Sequence, residues 1–203
     1  MARTVSDETR VKILQAAWDL MAAEAHLDVG MADIARAAGV SRQAVFYAVG
    51  SRSGLLLEMV RYRDSLGPHV QRLGGIAQSS GADAATLHAY VDAWLDYLPE
   101  VYPVAIKLEC ASLSDEDAAA AWRDRIFEGG LRLGLDRVLD RIAARGGLRA
   151  DLTARSAGDL CLTWLLPSAW RHLVVVLGWG PEAFRRSRHA LVDTLVLPEP
   201  DGR

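Results

Sequence analysis

Residues 30–52 read GMADIARAAGVSRQAVFYAVGSR. Met31, Ile34, Ala35 and Ala38 fall at i, i+3, i+4 and i+7, the spacing of one apolar helix face. Gly30 stands at the N-cap position and Asp33 places an acid in the first turn, at the positive end of the helix. Gly39 offers the left-handed residue that closes a helix. Ser41 is a good N-cap for a second helix, with Val40 and Val45 at the spacing of a hydrophobic staple. The stretch therefore predicts a two-turn helix over 31–38, almost no linker, and a second short helix over Ser41–Val49 ended by Gly50.

The second helix has two unlike faces. Val45, Ala48 and Val49 point one way, while Arg42, Gln43, Phe46 and Tyr47 form an outward arc that is cationic and aromatic. Outward from this pair, Ile13, Leu14, Ala17, Trp18, Leu20 and Met21 predict a preceding helix over Asp7–Ala25. Ser51 caps a following one with Leu55, Leu56, Met59 and Val60 on its apolar side. Two short helices around a Gly turn have the shape of a helix-turn-helix, whose second helix fits the major groove of DNA. Arg donates two hydrogen bonds to guanine and Gln pairs with adenine, so Arg42 and Gln43 suit base edges. Ser41 and Phe46 share that face, and Tyr47 and Arg52 suit phosphates.

The bulk charge points the other way. The chain has 203 residues, 51% hydrophobic and 24% charged, with 23 Lys plus Arg against 26 Asp plus Glu. That balance gives one or two compact domains and excludes extended disorder and fibrous repeats. A net charge of −3 argues against a surface built to coat nucleic acid. By region, however, Met1–Ser65 holds 8 basic and 8 acidic residues, and Ile34–Arg63 holds five Arg against Glu58 alone. A basic face can sit inside an acidic chain. Cys110 and Cys161 show no disulfide or zinc spacing, the polar Met1–Arg10 shows no signal peptide, and the apolar run Leu160–Gly180 is interrupted by Thr163, Pro167, Ser168, Arg171 and His172. A cytoplasmic protein with no metal and no membrane span is expected.

Beyond a Gly/Ser-rich patch at Gly74–Gly81, helices are expected at Ala84–Leu98, Tyr102–Ala111, Asp115–Ala144, Ser156–Leu177 and Pro181–Leu195. An all-α chain is expected, with an N-terminal domain over 7–67 (helix-turn-helix 30–49) and a second domain over 82–197. Trp94, Tyr97, Tyr102, Cys110, Trp122, Phe127, Trp164, Trp170 and His172 are candidates for a ligand pocket, with core packing the competing role for each. Lys107 and Glu109 read as a solvated face, and the cluster Gly129, Gly130 and Gly134 as close helix packing. Catalytic residues and cofactors are not indicated: there is no nucleophile elbow or phosphate loop, and the five His, at 26, 69, 88, 172 and 189, are dispersed. The apolar segment Cys161–Trp179 and the helix after it suit burial against a second copy.

Residues 33–52 together with Leu55 and Leu56 resemble the DNA-binding signature of TetR-type transcriptional regulators. The resemblance covers about the first 65 residues. It rests on the Ile-Ala-x-x-Ala-Gly-Val-Ser core, the aromatic pair Phe46 and Tyr47, and the basic residue after a Gly-Ser turn. Arg145–Leu152 is similar to the loop before the dimerising helices. Gly30 stands where many members have Thr, Phe46 where Tyr is usual, Ala48 for His, Val49 for Phe and Arg52 for Lys, so backbone affinity is expected to lean on Arg42, Tyr47 and Arg52. The resemblance implies an all-helical homodimer that binds a palindromic operator, mostly represses, and is released by a small molecule. Movement of the helix starting near Ser51 would then change the separation of two reading helices, which fit successive major grooves at about 34–36 Å. A helical small-molecule carrier or enzyme with a structural N-terminal bundle is the alternative, and a protein-docking patch at Phe46 and Tyr47 a third reading. Salt-dependent, sequence-selective DNA binding separates the first from both.

Overall fold

The computed structural model describes residues 5–24, 28–128 and 130–198; His26, Gly129 and the tail from Glu199 lie outside them. Every regular element among the described residues is helical: α1 Asp7–Ala23, α2 Met31–Ala38, α3 Arg42–Val49, α4 Arg52–Ser65, α5 His69–Gln78, α6 Ala84–Ala111, α7 Glu116–Arg123, α8 Leu131–Ala143, α9 Ala154–Leu165, α10 Pro167–Trp170 and α11 Pro181–Leu195. Wider π-helical turns follow α7 at Asp124–Glu128 and α10 at Arg171–Val176.

Two compact units result. One holds the described residues up to Gly67 together with Glu100–Arg125; the other holds Pro68–Pro99 together with those from Ile126 onward. In the first, Ile13, Leu14, Ala17, Trp18 and Met21 of α1 are buried with Ile34, Ala35, Val45, Val49, Leu55, Leu56 and Met59. Ser6 caps α1, accepting the Thr9 N–H, and Asp7 and Glu8 fill its first turn. The last turn of α1 has no cation of its own. Lys107 supplies one from α6, its Nζ donating to the carbonyls of Met21 and Ala22 at 2.5 and 3.0 Å. Burial pushes the Lys107 amine below its ordinary pKa, so this side chain is half-buried structure and not the solvated face its sequence context suggests.

In the second unit, Tyr90 and Trp94 of α6 are buried and hydrogen-bond the carbonyls of Leu131 and Leu165 at 2.9 and 2.8 Å. Leu131, Leu135, Val138 and Ile142 of α8 are all buried, as their spacing predicts. Gly134 is the close-packing glycine: a Cβ there would overlap the Tyr90 hydroxyl. Arg141 of α8 closes the end of α5, which has no basic residue in its last turn, donating to Ala77 and Ile76 carbonyls and to that of Gly81. Arg72 and Arg185 both grip Asp96, at 2.6 Å each. Burial raises the Asp96 carboxyl, but the hydrogen bonds from Arg185 and Arg72 outweigh it and hold the pKa below the ordinary value.

Four expected boundaries differ. Helix α6 is continuous through Pro99 and Pro103, where separate helices over Ala84–Leu98 and Tyr102–Ala111 are expected. Pro99 is exposed and Pro103 half-buried while Leu98, Val101 and Val104 are buried, so the lost amide bonds fall away from the core face that holds the helix. Helix α5 runs through Gly74 and Gly75, where a linker was expected; buried Leu73 and Ala77 and the Arg141 cap hold it. The 115–144 segment divides into α7 and α8, with Gly130 the N-cap of α8. The 156–177 segment divides at Leu166, whose extended backbone (φ −63°, ψ 150°) is that of a residue before proline. Thr153 and Ser156 cap each other's backbone at the start of α9.

Two outcomes test this packing. Gly134→Ala is expected to cost about 1–3 kcal/mol in urea unfolding, and Tyr90→Phe to relieve part of that cost in the double variant. For Asp96 the lowered native pKa means its contribution is full above the ordinary carboxylate range and is lost as pH falls below it. The acid fall in Tm should therefore shrink in Asp96→Asn.

Candidate nucleic-acid interface

The turn between α2 and α3 is built from backbone. Gly39 takes φ 67°, ψ 32°, letting its N–H reach the Arg36 carbonyl at 3.3 Å and the Val40 N–H reach that of Ala35 at 2.9 Å. Ser41 then caps α3, its Oγ accepting the Ala44 N–H at 3.1 Å. At the far end Gly50 has φ 71°, and Ser51 caps α4 through the Gly54 N–H at 3.0 Å. A Cβ on Gly54 would collide with the Val49 carbonyl, so the corner between α3 and α4 needs this second glycine, which the sequence alone did not single out. Arg10 of α1 closes the C-terminus of α3, donating to the Ala48 carbonyl at 2.7 Å while pairing with Glu58 of α4.

Held at both ends, α3 buries Val45, Ala48 and Val49 and exposes Arg42, Gln43, Phe46 and Tyr47. The exposed residues are ordered as i,i+4 pairs. The Arg42 guanidinium lies 5.8 Å from the Phe46 ring centre, and Gln43 Nε2 donates to the Tyr47 hydroxyl at 2.9 Å. That bond leaves the Tyr47 O–H to donate, the polarity a phosphate oxygen requires, and leaves Gln43 its carbonyl and one N–H for an adenine edge. Beside the pair lies a cleft of about 320 Å³ lined by Ser6, Thr9, Ser41, Gln43, Ala44 and Tyr47 together with Val5. Ser6 and Thr9 bring α1 hydroxyls to this face. Their sequence signal is a helix cap, with nothing to place it beside α3.

The five arginines between Ile34 and Arg63 are not equivalent. Arg36 pairs with Asp33 at 2.8 Å, Arg61 with Asp124 at 2.6 Å, and Arg63 lies 3.8 Å from Glu100 and over the Trp18 ring. Arg52 meets Asp115 at 2.7 Å and Asp117 at 3.8 Å. Asp115 also caps α7; the Ala118 amide foremost, with Arg52 assisting, lowers its pKa against the upward push of burial. The acids that neutralise this stretch mostly come from residues 100–124, which a sequence window cannot see. Among the described residues Arg42 alone of the five has no carboxylate partner. An unpaired cation beside an aromatic, on a helix with its polar edge outward, is the chemistry of a groove reader.

Residues 13–59 match the family model described as bacterial regulatory proteins, tetR family. The N-terminal helix-turn-helix is a TetR-family domain. No curated protein is a significant relative of the chain. Solved structures share the fold nearly end to end. A putative transcriptional regulator from Saccharomonospora viridis in complex with choline matches at TM-score 0.73 and 19% identity, covering 95% of this chain and 99% of that one. A TetR transcription regulator from Haloarcula marismortui matches at 0.70 and 18%, covering 94% and 100%. FadR from Bacillus subtilis in complex with stearoyl-CoA matches at 0.71 and 16%, covering 90% and 97%.

The nine candidate pocket residues are divided between the units, Tyr102, Cys110 and Trp122 in the first and the other six in the second, and they differ in environment. Trp94, Tyr97 and Trp170 are buried; Trp94 stands edge-on to Tyr97, His69 stacks on Tyr97, and Trp170 meets Phe184 edge-on. Tyr102, Trp122 and Trp164 are half-buried, and Cys110, Phe127 and His172 are exposed. No group of three or more His, Cys, Asp or Glu among the described residues is arranged to hold a metal ion, and none of their helices is long and apolar enough to cross a membrane.

The cap and the unpaired arginine each give a measurable outcome. Ser41→Ala should cost about 1 kcal/mol of stability in thermal unfolding. In anisotropy titrations on a mixed-sequence DNA duplex, Arg42→Ala should flatten the salt slope by about 0.9, while Arg36→Ala and Arg61→Ala, whose charges are already paired, should change it much less.

Proposed function

We propose that the chain is a ligand-responsive transcription regulator that binds a palindromic operator as a homodimer, represses from it, and is released by a small molecule. The observation that carries the reading is the exposed, unpaired Arg42 ordered against Phe46 on a capped helix of a TetR-family domain. Arg42 and Gln43 read base edges, Ser41, Phe46 and Tyr47 seat the helix on the backbone, and Arg52 joins them when its pair with Asp115 opens. The alternative of a helical enzyme gives these side chains no role, and no catalytic residue or cofactor is assigned.

Signal transfer falls to α4. It follows the reading helix directly, and α7 packs along it, with Arg52 on Asp115 at the start of both helices and Arg61 on Asp124 and Asp64 on Arg125 toward their ends. A displaced α7 therefore carries α4 with it. Similar structures hold choline and stearoyl-CoA, which supports a small-molecule effector here as well. For the homodimer, Val175, Val176, Leu177 and Trp179 form an apolar run that is 40–56% exposed, next to α11 in the chain. Covering that run with its copy removes apolar surface from water.

The reading is tested by gel shift with a duplex enriched by the protein itself. The double variant Arg42→Ala, Gln43→Ala should lose binding by about a hundredfold or more while melting near the wild type; equal binding would contradict it. Val176→Asp with Trp179→Glu should turn a dimer into a monomer in light scattering and weaken operator binding with it.

A further inference from the structure

Helices α1, α3, α5 and α9 end without a basic residue in the last turn. In each of these, a cation from another helix reaches the orphan carbonyls: Lys107, Arg10, Arg141 and, on the Trp164 carbonyl of α9 at 3.1 Å, Arg188 of α11. Arg188 departs from the others. Lys107, Arg10 and Arg141 stay partly in water, whereas Arg188 is 7% exposed. Its Nε and Nη2 donate to Ser187 Oγ at 3.2 and 3.0 Å, and its guanidinium stacks 4.4 Å from the Phe184 ring centre. Among the described residues it meets no carboxylate. Arg185, one turn away, is committed to Asp92 and Asp96.

A guanidinium has five N–H groups and does not deprotonate in proteins. Three are used here, so two remain, on a buried charge that a single carbonyl and a ring face compensate only in part. Burying an unpaired charge is costly, and a carboxylate matches the planar fork of Arg. We infer that Arg188 is the anchor of an effector site for an organic monocarboxylate with an aromatic or acyl body. One uncompensated cation balances one negative charge, and a phosphate dianion would leave an excess. The aromatic surroundings, Phe184 under the guanidinium and Trp170 edge-on to Phe184, suit an apolar body. This inference rests on the effector part of the proposed function and names its ligand class.

The test uses the full chain without DNA, followed by thermal shift and tryptophan fluorescence, with benzoate and octanoate as probes, benzamide and octanamide as neutral counterparts, and inorganic phosphate. At least one carboxylate should raise Tm in a concentration-dependent way and bind about tenfold or more tightly than its amide, with phosphate inert. Arg188→Gln should erase that preference and, freed of an unpaired buried charge, should melt unliganded at or above the wild-type Tm. Equal response to carboxylate and amide overturns the inference, as does a carboxylate preference unchanged in Arg188→Gln. So does a variant that merely shifts the protein to monomer while the wild type ignores carboxylates, since the counter-ion would then come from a second copy. If Arg188→Gln does not fold, the wild-type preference for carboxylate over amide decides alone. Carboxylate binding that leaves operator affinity unchanged would keep the site and remove its role as effector site.

Discussion

An eight-residue helix is too short to persist in water by itself, since isolated helices need about 12–15 residues to become even marginally stable. Helix α3 therefore exists only through what closes and covers it. Ser41 satisfies the Ala44 amide, Arg10 the Ala48 carbonyl, and Val45, Ala48 and Val49 are buried where the helix packs on α2, α1 and α4. Two glycines with positive φ and a third with no room for a Cβ set the corners on either side. With so much of α3 fixed from behind, its outer arc is free of structural duties and can carry cationic and aromatic side chains.

The same economy of charge runs through both units. Several helix ends that lack a local cation receive one from a distant helix, and the arginines of the Ile34–Arg63 stretch that lie outside the reading arc are matched to carboxylates. In that stretch Arg42 is left facing outward without a carboxylate; in the other unit Arg188 is left buried without one. Arg42 is proposed to find its partner in a DNA base edge, and Arg188 in an organic anion.

Local chemistry made α2, α3 and α11 legible in the sequence, because caps, Gly stops and Pro181 at a helix start act within a few residues. The outward arc of α3 was legible for the same reason. What depends on distant residues was not. The expected gap between Leu98 and Tyr102 is bridged because Leu98, Val101 and Val104 are buried along one face, and α5 through Gly74 and Gly75 depends on Arg141, far along the chain on α8. Lys107 looked like surface charge until its carbonyl partners came from α1. The apparent excess of arginine between Ile34 and Arg63 was a true count, but acids at 33, 100, 115 and 124 cancel most of it. Ser6 and Thr9 reach the candidate interface through the fold and carry no motif of their own.

The exposed arc of α3 is proposed to read DNA sequence in a paired arrangement, and on this the whole functional account depends. Selection of bound duplexes from a random pool by the full-length protein tests it most directly. The expected result is enrichment of an inverted repeat whose half-sites are set by one helical turn, about 10 base pairs, or a multiple of it. A recovered pool no different from the starting one, under salt conditions where the protein is folded and dimeric, would contradict it.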